Sequence, residues 1–201
     1  MAINLGPYNI IQLIAALSPL FISLFIFFTT MFNSQPINSI IYLCGLVIAA
    51  VCDIGVSKLI SSIKPSFGEK LPGASLSCNV INGGLISNSS ASVDTTILFY
   101  IIAYLLFPMI LNKLVNAYLL VFISIFTILN IIYQYTYKCS SILGIIIGVI
   151  IGFGVGTGWV FLLWVTDKQL LLFNSVSSNN TICSRPSKTK FLCKKVKKSS
   201  I

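Results

Sequence analysis

Hydrophobic positions in this chain fall in long unbroken runs, not in the alternation of a strand or the half-apolar stripe of a soluble helix. Five runs, residues 10–32, 37–60, 95–111, 115–133 and 142–165, lie near the roughly 20 residues that a bilayer-crossing helix needs. "NSQP" from Asn33 to Pro36 and the pair Asn112-Lys113 read as tight turns between neighbouring spans. Two longer polar stretches, Ser61 to Val93 and Gln134 to Ser141, separate the remaining runs. The pattern predicts an all-α fold, a polytopic transmembrane helical bundle of about five spans within residues 1–166. Residues 167–201 follow as a polar, basic and disordered tail. The first run has no basic residue before it and exceeds a signal-peptide core in length, so it reads as a true span.

Composition agrees. Of 201 residues, 56% are hydrophobic and 8% charged, with a mean hydropathy of +0.96, whereas soluble domains carry about 25% charged residues. The charge is unevenly placed: of 13 Lys and Arg, seven follow Ser184, namely Arg185, Lys188, Lys190, Lys194, Lys195, Lys197 and Lys198. Basic residues near span ends favour the cytoplasmic side. The tail is therefore expected in the cytoplasm, and five spans then put the N-terminus and both polar stretches on the lumenal or extracellular face. One reading of the tail is contact with anionic lipid, at about 1 kcal/mol per basic residue close to the surface, with Cys183 or Cys193 as acylation sites. The other is a solvated segment that only sets topology. Nucleic acid is not an expected partner.

Cys44 and Cys52 fall inside the second run and read as small buried hydrophobes. Cys78 and Cys139 share the predicted outer face, where a disulfide between them is chemically allowed. With no histidine in the chain and no ligand spacing, neither a metal nor another cofactor is expected.

Two features bear on assembly. Gly144, Gly148, Gly152 and Gly156 recur every four residues, a spacing that lines small residues along one helix face and lets backbones approach closely. The stripe is expected to pack the fifth span inside its own bundle, with self-association into a homo-oligomer as the alternative. Asp53 is an acid inside a span, where an ionisable group is costly without a partner or water. Lys58 follows a little over one turn later, so the two mark either a wet pocket at the outer end of the span or the membrane interface itself.

The stretch "GGLISNSSAS", Gly83 to Ser92, puts serines and an asparagine directly before the third span. Ser92 or Asp94 there suits an ordinary helix cap, and Asn88-Ser89-Ser90 is also a glycosylation sequon. A helix N-terminus rich in hydroxyls and amides, with lysines nearby, equally suits a phosphate anion. The candidate phosphate-binding residues are Lys58, Lys64, Ser87, Asn88, Ser89, Ser90, Asn130 and Thr136.

The order of these segments resembles the membrane superfamily of type 2 phosphatidic acid phosphatases, in particular its dolichyldiphosphatase-like branch. "KLISSIKP", Lys58 to Pro65, resembles the first family motif, with Lys64 in place of arginine and one residue missing. Gly84 to Ser89 resembles the second, with Ser89 where the family has histidine. "LNIIYQYTYKCSSILG" resembles the third, with Asn130 for arginine, Thr136 for the second histidine and Ser140 for the acid. In the family one histidine attacks phosphorus and the other donates a proton. Their absence implies a phosphatase-like pseudoenzyme that is inactive but holds a lipid phosphate or acts as a scaffold, with anionic or phosphorylated membrane lipids as partners.

The alternative function is a small membrane-organising protein, as in a viral envelope or an organelle, whose glycine stripe drives lateral assembly. A channel or transporter is least favoured, since a single acid is little for an ion path and no inverted repeat is evident.

Overall fold

In the computed structural model, the described residues are 7–32, 36–63, 92–111, 115–166, 181–184 and 192–195. Five helices account for most of them: α1 (Pro7–Phe32), α2 (Pro36–Ile63), α3 (Val93–Leu111), α4 (Ala117–Thr136) and α5 (Ile142–Thr166). All five are long and apolar enough to cross a membrane. In the tail, β1 (Thr181–Ser184) pairs antiparallel with β2 (Leu192–Lys195), bringing Cys183 opposite Cys193.

Two boundaries differ from the hydropathy reading in an informative way. The second helix runs on to Ile63, and the fourth continues through Gln134 to Thr136 instead of ending near Tyr133. Gln134 stays helical because its amide donates to Asn130 Oδ1, one turn back, at 2.6 Å. A polar pair that satisfies itself along one face removes the cost of keeping both residues in a buried helix.

The helix ends are built from local chemistry. Ser92 caps α3, its hydroxyl accepting from the Thr95 N–H at 3.3 Å, and Asn116 caps α4 through Leu119 N–H at 3.2 Å. After α4 the chain closes a Schellman turn: Cys139 N–H donates to Gln134 O and Lys138 N–H to Tyr135 O. Lys138 takes the left-handed position of that turn at φ 52°. Ser141 then caps α5, accepting from Gly144 N–H at 3.0 Å.

α3 lies at the centre, touching each of the other four helices, and is the most buried of the five. Its closest neighbour is α5. Gly144, Gly148, Gly152 and Gly156 are all buried, and a side chain at three of them would collide with α3. At Gly148 a Cβ would lie 2.9 Å from Ser92 O, at Gly156 2.8 Å from Ala103 Cβ, and at Gly152 it would run into Thr96 O. Gly154 and Gly158, off this stripe, face open space. The stripe therefore docks α5 on α3 of the same chain, and lateral assembly would need another surface.

A ring cluster fills the middle of the bundle, with Tyr42, Tyr100 and Tyr104 centroids 5.3–6.1 Å apart. Gly45 on α2 leaves the room into which the Tyr100 hydroxyl and Trp159 project. Tyr100 donates to the Tyr42 carbonyl at 3.2 Å, tying α3 to α2. At the α1–α2 turn, the buried hydroxyls of Thr30 and Ser39 meet at 2.6 Å.

Gly152→Ala is expected to destabilise the bundle by about 1–3 kcal/mol, as overpacking does, while Gly154→Ala leaves stability unchanged. Thermal unfolding of the two variants in detergent compares them directly.

Candidate functional site

The buried polar side chains concentrate at one end of the bundle, where α2 and α4 finish and α3 and α5 begin. The first turn of α3 is their hub. Ser92 Oγ donates to Gln134 Oε1 on α4 at 2.5 Å, and the Thr95 hydroxyl donates back to Ser92 Oγ at 2.9 Å. Gln134 passes the chain to Asn130, and Asn130 Nδ2 donates to the Ala15 carbonyl of α1 at 2.8 Å. On the other side of α3, the Thr96 hydroxyl lies 2.7 Å from Asp53 Oδ1 on α2 and 3.2 Å from the Gly148 carbonyl on α5. Ser92 N–H adds a bond to the Gly144 carbonyl at 3.3 Å. Within five residues, α3 is linked by hydrogen bonds to α2, α4 and α5, and through Asn130 to α1.

The Ala15 acceptor has a cause in the sequence. Pro19 lies within α1, and its missing N–H leaves the carbonyl four residues earlier without its helical donor. That carbonyl is Ala15. Ser18 Oγ donates to it at 2.8 Å and Asn130 supplies the second donor. Neighbouring polar side chains are what make proline tolerable inside a spanning helix.

The sequence-derived phosphate residues are dispersed where they can be seen. Asn130 is fully buried, with its amide engaged by Ala15 and Gln134. Thr136, at the end of α4, is exposed, and so is Lys58. The structure does not bring Asn130 and Thr136 to a common cavity: six residues apart on a continuous helix, they face different surroundings. Lys64, Ser87, Asn88, Ser89 and Ser90 lie outside the described residues. Ser140, matched above to the family acid, is buried with its hydroxyl unpartnered. The last serine of the polar lip, Ser92, is a helix cap and an interhelical donor together.

Asp53 does not pair with Lys58. Five residues apart on one helix, they project in different directions, the acid into the bundle and the lysine outward. Asp53 is fully buried, and its Oδ2 has no hydrogen-bond partner. Asp94, in the first turn of α3, also has a buried unpartnered oxygen and interacts electrostatically with Asp53. Hydropathy alone missed Asp94 as a second acid of this centre, although its position two residues after a serine cap was visible.

Cys44 and Cys52 are free and exposed on the outer surface of α2, where burial was expected. Apolar lipid tails suit a thiol as well as a protein core does, so hydropathy does not separate the two surroundings. Cys139 is disulfide-bonded; its expected partner Cys78 lies outside the described residues.

Interhelical hydrogen bonds in membranes contribute about 0.6 kcal/mol on average and up to about 1.7. Gln134→Met removes two such links, from the Ser92 and Thr95 hydroxyls, together with the bond to Asn130 along its own helix, and is expected to lower the unfolding temperature, whereas Thr136→Val, at an exposed site, is expected to leave it unchanged; circular dichroism melts of the purified variants check this.

Comparison with protein-family models, with curated proteins and with solved structures finds no match to this chain.

Proposed function

We propose that this multi-pass membrane protein is a non-catalytic scaffold: a five-helix bundle that anchors a basic tail against an anionic surface. The observation that carries the reading is the use made of the polar side chains. Ser92, Thr95, Asn130 and Gln134 are held by one another and by backbone, and the chain has no histidine to act as a base near neutral pH. Such a centre joins helices. As a relic of a phosphatase-like ancestor it would retain the architecture without the chemistry.

The orientation in this proposal puts the tail in the cytoplasm, with its seven basic residues drawn to anionic headgroups. The disulfide at Cys139 supports it, since that turn then lies on the opposite, oxidising side. A second reading, contact with a lipid phosphate at the outer rim, draws support from Lys58, which is exposed near the outer end of α2 and long enough to reach headgroups. The membrane-organising alternative loses its glycine stripe to α3 and would have to use a different face.

Reconstituted into phosphatidate-containing liposomes, the chain is expected to release no more phosphate than protein-free liposomes. In nanodiscs it is expected to recruit phosphatidylserine vesicles in a salt-sensitive manner, and truncation after Thr166 to abolish recruitment. Phosphate release that Ser89→Ala removes would overturn the scaffold reading, as would recruitment that survives truncation.

A further inference from the structure

The chain contains four acidic residues, and two of them, Asp53 and Asp94, lie within electrostatic reach of each other at the polar end of the bundle. We infer that Asp53 and Asp94, with the Thr96 hydroxyl and the Gly148 carbonyl, form a binding site for a small monovalent positive charge, a proton or Na+, at the junction of α2, α3 and α5. This goes beyond the scaffold reading, which needs no ligand.

The argument begins with donors. A carboxylate taken out of water costs several kcal/mol unless paired and hydrogen-bonded, and its two oxygens offer about four acceptor sites. The donor that reaches Asp53 is the Thr96 hydroxyl, which has one proton and lies between Asp53 Oδ1 and Gly148 O. It can satisfy one of them at a time. If it donates to Gly148, Asp53 Oδ1 needs a positive species of its own, and Oδ2 has no partner in either case. Asp94 adds a second unpartnered buried oxygen and a second negative charge within electrostatic reach.

No basic side chain among the described residues answers these acids. Lys58 on α2 points outward, and the described side chains of α1, with all of α3, α4 and α5, contain no lysine or arginine. Lys138 is exposed on the turn after α4. The other titratable groups among the described side chains of the helices are Tyr42, Cys44 and Cys52 on α2, the two cysteines facing outward, Tyr100 and Tyr104 on α3, and Tyr118, Tyr133 and Tyr135 on α4. Lys64, Glu69 and Lys70 lie outside the described residues. No third His, Cys, Asp or Glu joins the pair among the described residues, which suits a single charge better than a divalent metal. Oxygen donors of carboxylate, hydroxyl and carbonyl type are those that a hard cation prefers, and an intramembrane acid facing a bundle interior is where bound protons and ions are found.

The test uses the full chain in detergent. Its unfolding temperature is measured in Na+ buffer against N-methylglucamine buffer of equal ionic strength, and in Na+-free buffer from mildly acidic to mildly alkaline pH. The expected result is a higher unfolding temperature with Na+ if the cation is the ligand, or at acidic pH alone if a proton is. Asp53→Asn, which replaces one charge with a neutral amide, is expected to weaken or remove the dependence, and Asp94→Asn and Thr96→Val to weaken it. Should Asp53→Asn fail to fold, the other two variants read the same quantity. A wild-type unfolding temperature indifferent to both Na+ and pH overturns the site, because a lysine from elsewhere in the chain would then neutralise the acids. A dependence undiminished in all the variants that fold overturns it too, by locating the responsive group elsewhere.

Discussion

The polar end of this bundle depends on the first turn of α3 finding partners without water. A helix start exposes backbone N–H groups that its own turns cannot satisfy, and hydrocarbon offers nothing in exchange. Ser92 answers part of that need by capping Thr95, and the same hydroxyl donates to Gln134. From that one serine the bonds spread to α4 and, through Asn130, to α1. Thr96, one turn on, extends them to α2 and α5. The central helix is thus located by its polar end as much as by its apolar flanks.

Close approach makes the hub possible. Thr96 reaches the Gly148 carbonyl, and Ser92 the Gly144 carbonyl, because no side chain on that face of α5 holds the two backbones apart. Dispersion contacts along the stripe and hydrogen bonds at its end act together, since apolar surface alone gives helices in lipid little reason to choose one another. Pro19 adds the third constraint: it frees the Ala15 carbonyl that Asn130 then binds, so a residue that weakens α1 locally also specifies where α4 must lie.

The same hub sets the chemical character of the end. Its bonded members are hydroxyls and amides engaged with each other, and its unsatisfied members are carboxyl oxygens of Asp53 and Asp94. An anion gains little in such a place, and a positive charge gains much. Asn130, proposed from motif order as a phosphate ligand, has its amide engaged by Ala15 and Gln134, while Asp53, read from the sequence as a pocket or boundary residue, and Asp94, read as a helix cap, each keep an unpartnered buried oxygen.

Hydropathy alone determined that the chain has five helices long and apolar enough to cross a membrane and placed each within a few residues, because length and apolarity are both local properties. Spacing alone located the glycine stripe on one face of α5, since helical periodicity is local too. What the stripe packs against, that Asn130 binds the carbonyl Pro19 leaves free, and that Asp53 accepts from Thr96 instead of pairing with Lys58 were decided only by the tertiary structure. Those facts join residues between 43 and 115 positions apart in the chain, and no short-range pattern carries a distance of that kind. Lysine and aspartate spaced five apart look like partners in sequence; the helix turns them to different faces, and the packing of α3 decides which one is buried.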